Sequence, residues 1–354
     1  MKILVTGGAG FIGSALIRKL VNNTAHHVLN YDSLTYSGNL SSLNSIDQSD
    51  RYTFVHGDIC DPEVFRSTLD NFRPQKIINL AAESHVDRSI DNPFPFFQTN
   101  VLGTLNLLHI SNEYFQSLDI SGKKDFIFHH VSTDEVYGDI PLDCLPCDEQ
   151  YPYQPSSPYA ASKASSDHLI GSWFKTFNFP TVITNCSNNY GPYQFPEKFI
   201  PHIILNALDG KNIPVYGDGS QIRDWIFVDD HVNGLLDVCF GGTPGQTYNI
   251  GGSNEVKNID TAEMICNILD KKITLKPNNI QNFHELIEFV PDRPGHDLRY
   301  AINSSKIQKC FSWLPQETFD SGLEQTVEWY IEHKDWWQEI LEKKYSLTRL
   351  GNLK

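Results

Sequence analysis

The sequence predicts an α/β protein built on a Rossmann-type, doubly wound parallel sheet, with a smaller mixed α/β lobe towards the C-terminus. A short apolar strand runs directly into a glycine turn and an amphipathic helix. Strands and helices then alternate up to about residue 185, and the later sequence is richer in loops. We therefore expect a Rossmann domain over residues 1–185 with a returning segment near 225–250, a smaller lobe over 186–340, and a tail over 341–354.

Composition argues against several classes of partner. The 354 residues carry 43 acidic and 28 basic side chains, and the net charge of −15 disfavours binding to nucleic acid or anionic lipid. A hydrophobic content of 40% is typical of a globular protein, and no apolar stretch is long enough to span a bilayer. Met1 leads straight into the first strand, so no signal peptide is expected.

The 7 cysteines are odd in number and scattered, which is typical of reduced thiols in the cytoplasm. Cys144 and Cys147 form a C-x-x-C pattern, but it has no second pair at zinc spacing and no thioredoxin-like context. Two thiols in a loop are therefore favoured over a metal or redox role, and no metal site is predicted.

The first strand, Lys2–Thr6, ends in a glycine-rich turn that fits a dinucleotide. Gly7, Gly10 and Gly13 let the backbone approach a pyrophosphate closely, and the helix that follows offers N–H groups to the phosphates. The second strand ends in Asp32, near the offset at which an acid binds the adenosine ribose. No basic residue follows it to accept a 2′-phosphate, so NAD is predicted in preference to NADP.

Further strand ends are predicted to lie beside this cofactor. Asp58 and Ile59 follow the third strand and could contact the adenine, although Asp58 could equally cap the helix near Pro62. The fourth strand spans residues 76–82 and ends in a polar cluster, where we select Ser84 for contact with substrate or cofactor. The residues predicted to contact the dinucleotide are Gly7, Gly10, Phe11, Ile12, Gly13, Asp32, Asp58, Ile59, Ala81, Tyr159, Lys163 and Asn188.

Three polar residues nearby are expected to be mainly structural. His85 and Arg88 are expected to fix the loop after the fourth strand. Asn100 lies in a helix predicted from Phe97 to Tyr114. Its amide could touch the cofactor, but satisfying a buried backbone group is favoured.

The fifth strand ends in a hydroxyl and two neighbouring carboxyls, Thr133, Asp134 and Glu135. Acids often begin solvated loops, so this pattern alone is ambiguous. Tyr159 and Lys163 follow, four residues apart and therefore on one face of the next helix. An acid, a base and a Tyr/Lys pair together indicate proton chemistry at several atoms of one substrate.

Two arginines in the second half of the chain are candidates for binding a diphosphate. Arg223 and Arg293 lie in segments rich in aromatic, glycine and proline residues, and a guanidinium can grip phosphate oxygens in a bidentate manner. The alternative is a surface ion pair with Asp224 or Asp292. Phosphate binding is favoured because a Rossmann domain precedes them.

The chain resembles the extended short-chain dehydrogenase/reductases, and within them the dTDP-glucose 4,6-dehydratases, along nearly its whole length. The glycine turn and Y-x-x-x-K mark the superfamily, whereas the Thr-Asp-Glu trio and DRPGHD are much narrower. The segments that carry the resemblance are ILVTGGAGFIGS from Ile3, LAAESHVDRSI from Leu80, HHVSTDEVYGD from His129, SPYAASKASSDHL from Ser157, NCSNNYGPYQFPEKFIP from Asn185, QIRDWIFVDDH from Gln221 and DRPGHDLRYA from Asp292.

The resemblance implies a reaction on a nucleotide-linked glucose: oxidation at C4, loss of water across C5 and C6, and reduction at C6 with NAD regenerated in each cycle. Tyr159, supported by Lys163, would take the proton of the C4 hydroxyl, and Thr133 would bind the C4 oxygen. Glu135 would remove the C5 proton, and a protonated Asp134 would donate to the departing C6 hydroxyl.

The resemblance also implies partners. The substrate would be dTDP-glucose, and the product would feed rhamnose or a related surface polysaccharide. A homodimer would pair the helices near Asn100–Tyr114 and 159–177 as a four-helix bundle. The residues expected around the substrate are Ser84, Thr133, Asn189, Glu197, Lys198, Arg223, Asn258, Arg293 and His296.

Rival interpretations differ in what they require of the sequence. A nucleotide-sugar epimerase or decarboxylase would use the same glycine turn, Tyr159 and Lys163, but would not need an acid beside a base. A non-catalytic dinucleotide sensor would not need this combination of side chains. Asp134 and Glu135 therefore favour dehydration, while the choice between dTDP and UDP stays open.

Overall fold

The structure is a computed structural model that describes residues 1–343, so the last part of the predicted tail, residues 344–354, lies outside it. Twelve strands are present among the described residues: β1 Lys2–Thr6, β2 His27–Asp32, β3 Tyr52–His56, β4 Lys76–Asn79, β5 Ile127–Thr133, β6 Thr181–Cys186, β7 Asn188–Tyr190, β8 Ile213–Tyr216, β9 Ile222–Phe227, β10 Thr247–Ile250, β11 Glu255–Lys257 and β12 Ile287–Val290.

The helices alternate with these strands in the first half of the chain. The described residues also contain four short 3₁₀ turns, at Leu40–Leu43, Asp134–Tyr137, Pro277–Asn279 and Phe283–Leu286. The α-helices are α1 Phe11–Asn23, α2 Pro62–Phe72, α3 Val86–Asp91, α4 Phe94–Phe96, α5 Thr104–Ser117, α6 Ile120–Asp125, α7 Pro158–Phe177, α8 Phe199–Leu208, α9 Val228–Gly241, α10 Asn258–Lys272, α11 Ser305–Phe311, α12 Phe319–Glu332 and α13 Lys334–Lys343.

The large sheet is parallel and has the order β10-β6-β5-β4-β1-β2-β3. Every residue of β5 and β6 is buried, because helices cover both faces of the sheet. The core on one face includes Leu16 of α1 and Val232 of α9, and the core on the other includes Phe65 of α2 and Leu107 of α5. The chain order reverses between β1 and β4, so a ligand crevice is expected where their carboxyl ends meet.

The helix predicted from Phe97 to Tyr114 is interrupted in the structure. Residues Phe97–Gly103 form a π-helical segment, and a regular α-helix follows only from Thr104. Within this segment the Ser166 hydroxyl donates to the carbonyl oxygen of Asn100 at 2.6 Å, and the Asn100 amide bonds both backbone groups of Glu83. The Ser166 bond competes with the helical ladder for the Asn100 carbonyl oxygen. The bonds between the Asn100 side-chain amide and the Glu83 backbone agree with the structural role expected for Asn100.

The remaining elements pack around a second hydrophobic core. The sheet β11-β9-β7 and the pair β12-β8 surround a core that includes Ile203, Ile265, Phe283 and Leu323. From this region α9 returns to pack on α1, and β10 extends the large sheet parallel to β6. Among the helices of the described residues, none combines the length and the apolar character needed to cross a membrane.

Candidate active site

A cleft at the carboxyl end of the large sheet has the features of a dinucleotide site. Gly7 has a φ of +71°, and a Cβ built there would lie 2.6 Å from the backbone nitrogen of Ala81. A Cβ at Gly13 would lie 2.2 Å from the Gly7 carbonyl oxygen, so both positions require glycine. Helix α1 has no side-chain cap, which leaves its first N–H groups available to phosphate oxygens.

The polar rim of this cleft also fits NAD. Asp32 is held by hydrogen bonds from the backbone nitrogens of Ala9 and Leu34, at 2.9 and 2.8 Å, and borders the cleft. Asn188 Oδ1 is buried with no hydrogen-bond partner among the described residues, and could accept from an amide such as the nicotinamide carboxamide. All the residues predicted to contact the dinucleotide line this one cavity: Gly7, Gly10, Phe11, Ile12, Gly13, Asp32, Asp58, Ile59, Ala81, Tyr159, Lys163 and Asn188.

The capping alternative for Asp58 is wrong. Asp61 is the N-cap of α2, because its side chain accepts from the backbone nitrogens of Glu63 and Val64. Asp58 instead accepts from Cys60 N at 2.8 Å and lines the cleft.

The acid pair follows the carboxyl end of β5 and lines the same cavity. Thr133 caps the following 3₁₀ turn by accepting from the backbone nitrogen of Glu135 at 3.2 Å. Ser157 caps α7 by accepting from Ala160 N, and this fixes the start of the helix that carries Tyr159. The catalytic residues predicted from the sequence all border this cavity: Thr133, Asp134, Glu135, Tyr159 and Lys163.

Burial and nearby charges shift the pKa values of the two neighbouring carboxyls to different extents. Burial first, and then the charge of Glu135, raise the pKa of Asp134 well above its usual range. Burial also raises the pKa of Glu135, but the positive charges of Arg293 and Arg223 oppose that shift. Asp134 Oδ2 and Glu135 Oε2 are buried without a hydrogen-bond partner among the described residues. The arrangement therefore favours a protonated Asp134 beside a more readily ionised Glu135.

The tyrosine and the lysine are both buried. Burial, followed by the nearby charge of Glu135, raises the pKa of Tyr159, while a hydrogen bond with Thr133 opposes the shift. Forming the phenolate therefore needs positive charge close by. Lys163 Nζ donates to the Val131 carbonyl oxygen at 2.9 Å, and an oxidised nicotinamide would add a second positive charge.

A second cavity adjoins the first and has a more cationic lining. Glu135, Asn189 and Lys198 border both cavities, so a ligand in the second cavity can reach the acid pair. All the substrate residues predicted from the sequence except Thr133, which lines the first cavity, lie around it: Ser84, Asn189, Glu197, Lys198, Arg223, Asn258, Arg293 and His296.

The two arginines do not form the surface ion pairs that were the alternative. Arg223 is 5% exposed and donates to the backbone carbonyl oxygens of Ile222 and Asp297. Arg293 pairs with Asp87, with 2.9 Å between Nη1 and Oδ1, and its buried Nε has no partner among the described residues. Both guanidiniums are therefore held in place while bordering the cavity, as diphosphate binding requires.

Several predicted substrate residues also hold neighbouring protein groups. Both oxygens of Glu197 are bonded, one to Tyr36 Oη at 2.9 Å and the other to Arg88 Nε at 2.9 Å. Asn189 donates to Ser187 O and contacts His231. Lys198 donates to the Ser84 carbonyl oxygen, and His296 contacts Asp292 at 2.7 Å. By contrast, the Oδ1 atom of Asn258 is buried without a described partner.

The loop residues expected to be structural have clear partners. His85 caps α3 by accepting from Arg88 N, and Arg88 in turn pairs with Glu197.

Cys144 is exposed and Cys147 is buried, and both are free thiols. Among the described residues, no group of three or more His, Cys, Asp or Glu side chains could hold a metal ion.

Sequence reasoning missed several residues of the two cavities. Asp87 positions Arg293, and the Tyr300 ring lies 4.3 Å from the guanidinium of Arg223. Trp336 lines the dinucleotide cavity and donates to Ser42, and the Tyr36 hydroxyl donates to Glu197, which lines both cavities. Tyr300 lies inside the DRPGHDLRYA segment, so that motif could have suggested it. No local pattern marks Tyr36 or Trp336.

Comparisons with known proteins agree with this geometry. The family model described as GDP-mannose 4,6 dehydratase matches residues 4–326. A dTDP-glucose 4,6-dehydratase of Escherichia coli is 55% identical over 99% of each chain. The crystal structure of dTDP-glucose 4,6-dehydratase from Bacillus anthracis in complex with NAD has a TM-score of 0.84 and 42% identity, covering 96% of this chain and 99% of its own.

A second solved structure is also similar to this chain. It is the dTDP-glucose 4,6-dehydratase of Streptomyces venezuelae with NAD and the ligand TYD bound. It has a TM-score of 0.87 and 41% identity, covering 96% of this chain and 100% of its own. The chain therefore belongs to the family that the GDP-mannose 4,6 dehydratase model describes, and within the extended short-chain dehydrogenase/reductases it groups with the dTDP-glucose 4,6-dehydratases.

Proposed function

We propose that the protein is a dTDP-glucose 4,6-dehydratase, an NAD-dependent hydro-lyase that converts dTDP-glucose to dTDP-4-keto-6-deoxyglucose. The observation that carries this proposal is the buried pair Asp134 and Glu135, which faces the cavity of Tyr159 and Lys163. An epimerase has no use for an acid beside a base at this place. The 55% identity to a full-length dTDP-glucose 4,6-dehydratase supports the same substrate.

In this proposal the protein supplies the proton transfers. NAD, when bound in the cleft, would accept a hydride from C4 of the glucose and return it to C6. Tyr159 takes the proton of the C4 hydroxyl, and Thr133 hydrogen-bonds the C4 oxygen. Glu135 then removes the proton at C5, which the C4 ketone has made acidic. Asp134 donates a proton to the C6 hydroxyl, which leaves as water.

The second cavity would hold the nucleotide diphosphate. Arg223 and Arg293 are fixed by their own protein partners and would meet the phosphate oxygens without much loss of side-chain entropy. Lys198 lies where the two cavities join, so its ammonium would lie near the sugar. This arrangement would place the hexose between the dinucleotide and the acid pair.

Incubation with dTDP-glucose tests the proposed function directly. We expect a product that has lost one water and carries a 4-keto-6-deoxy sugar, identified by mass spectrometry and nuclear magnetic resonance. A competition between dTDP-glucose and UDP-glucose in one reaction should favour the dTDP sugar. A 4-epimer, or the absence of turnover by protein containing NAD, would reject the proposal.

We also propose that the protein forms a homodimer through the helices near Asn100–Tyr114 and α7. Phe94 is 82% exposed just before the first of these helices, and Leu102 is 50% exposed within it. Phe177 is 46% exposed at the end of the second. Apolar side chains of this size are costly to leave in water, and a four-helix bundle would bury them.

Substitution Leu102→Glu should shift the protein from dimer to monomer in sedimentation velocity, because a carboxylate would be buried in the bundle. The control is Leu275→Glu, at a residue that is 91% exposed far along the chain. This control variant should stay dimeric. A wild-type protein that sediments as a monomer would contradict the proposal.

All seven cysteines are free thiols in the structure, which is compatible with a reducing compartment. Together with the biosynthetic reaction proposed above, this leads us to place the enzyme in the cytoplasm. Cell fractionation against a cytoplasmic marker checks this placement.

A further inference from the structure

The C-terminal helix α13 reaches the dinucleotide cleft, although almost the whole chain separates it from the glycine turn. Trp336 lines the same cavity as Gly10 and Asp32. Its indole nitrogen donates to the Ser42 hydroxyl at 3.3 Å, in the 3₁₀ turn that follows β2. The helix therefore contacts the segment that borders the adenosine side of the cleft.

A cluster of aromatic rings joins α13 to the helix that would bind the pyrophosphate. The rings of Tyr193 and Trp336 meet edge to face with centroids 5.5 Å apart. The guanidinium of Arg18, on α1, lies 4.2 Å from the centroid of the Tyr193 ring. Arg18 Nη1 also donates to the Ser42 carbonyl oxygen at 2.8 Å. Trp336, Tyr193, Arg18 and Ser42 thus form one contiguous contact.

One turn further along, α13 packs against a second segment of the cleft lining. Ile340 is 2% exposed and packs with Phe195, next to Tyr36. The Tyr36 hydroxyl donates to Glu197, which borders both cavities. The helix is therefore attached to two segments that line the dinucleotide cavity, one carrying Ser42 and the other carrying Phe195.

We propose that α13 is a strap that joins these two segments of the cleft lining and that Trp336 is a cofactor-binding residue that slows the release of NAD. The inference rests on the proposed function only in taking NAD as the ligand. A cofactor regenerated in every cycle gains nothing by dissociating, and an indole wall at the exit lowers its escape rate without taking part in the chemistry. Losing such an aromatic contact should speed NAD release by about tenfold or more.

The test compares two neighbouring tryptophans. Trp336→Phe and Trp336→Ala change a residue that lines the cleft, whereas Trp337→Phe changes its neighbour on the same helix, which does not line the cleft. Both tryptophans pack against the core of the smaller lobe, and Trp337 donates to the Tyr330 carbonyl oxygen at 2.8 Å. Each variant is purified as the full chain and passed through a desalting column in buffer without NAD, and its bound NAD is then released by acid and quantified.

We expect wild type and Trp337→Phe to keep their NAD, Trp336→Phe to lose part of it, and Trp336→Ala to lose most of it. Turnover by the Trp336 variants should rise when NAD is added in excess, since no proton-transfer residue is changed. Ser42→Ala should lose NAD in the same direction but less severely. NAD retention by folded Trp336→Phe and Trp336→Ala equal to that of wild type would overturn the inference. So would equal losses by Trp336→Phe and Trp337→Phe.

The content of bound NAD is measured without substrate, so this result is independent of the reaction. If NAD is lost selectively from the Trp336 variants but dTDP-glucose is not converted, the strap stands and the proposed function fails. If dTDP-glucose is converted but all variants keep NAD alike, the strap fails and the proposed function stands.

Discussion

Replacing Tyr159 with Phe is expected to stop the reaction at its first step and to lower turnover of dTDP-glucose by about 10²–10⁴-fold. The substitution removes a single oxygen, the group that would take the C4 hydroxyl proton. Tyr159 is buried and lines the cleft beside Thr133, and in the proposed mechanism the nearby carboxyls of Asp134 and Glu135 act at C6 and C5 instead. Binding of dTDP-glucose should change little, since the diphosphate contacts are elsewhere.

The measurement is a single-turnover mixing experiment that follows the absorbance of the reduced cofactor. In wild type this absorbance should rise and then fall within one cycle, and in Tyr159→Phe it should not rise. The matched control is Tyr114→Phe, because Tyr114 is also buried but donates to the Pro74 carbonyl oxygen outside the cleft. Rapid reduction of the cofactor by Tyr159→Phe would show that another group removes the C4 hydroxyl proton.

Replacing Asp134 with Asn should block the reaction one step later. The carboxamide has nearly the same shape but cannot donate an acidic proton to the departing C6 hydroxyl, so elimination should slow by about 10²–10⁴-fold. Oxidation at C4 does not depend on this proton. Reduced cofactor and the 4-keto-glucose nucleotide should therefore accumulate on the enzyme.

Comparison with Glu135→Gln separates the acid from the base. When substrate is turned over in deuterated water, Asp134→Asn should still exchange the proton at C5, because Glu135 remains to remove it. Glu135→Gln should accumulate reduced cofactor without that exchange. Asp230→Asn serves as the control, since Asp230 is buried outside both cavities and accepts from Glu317 N. Unchanged overall turnover in Asp134→Asn would remove this residue from the acid role.

Much of the site could be predicted because its residues lie next to one another in the chain. The glycine turn, the acid pair and the Tyr159–Lys163 spacing are local patterns, and each appears at the end of a recognisable strand or the start of a helix. The interruption of the helix after Phe97 could not be predicted in this way. It depends on Ser166, which is distant in sequence and donates to the Asn100 carbonyl oxygen in competition with the helical ladder.

The sequence alone was enough to determine the fold class and the local chemistry: a parallel sheet, a glycine turn that only glycine can form, and an acid beside a base. Only the tertiary structure decided that Asp58 is not a cap, that Arg293 is positioned by Asp87, and that Trp336 lines the cofactor cleft. The physical reason is that backbone geometry and periodicity act over a few residues. Burial, ion pairing and ring contacts depend on which distant segments the fold brings together.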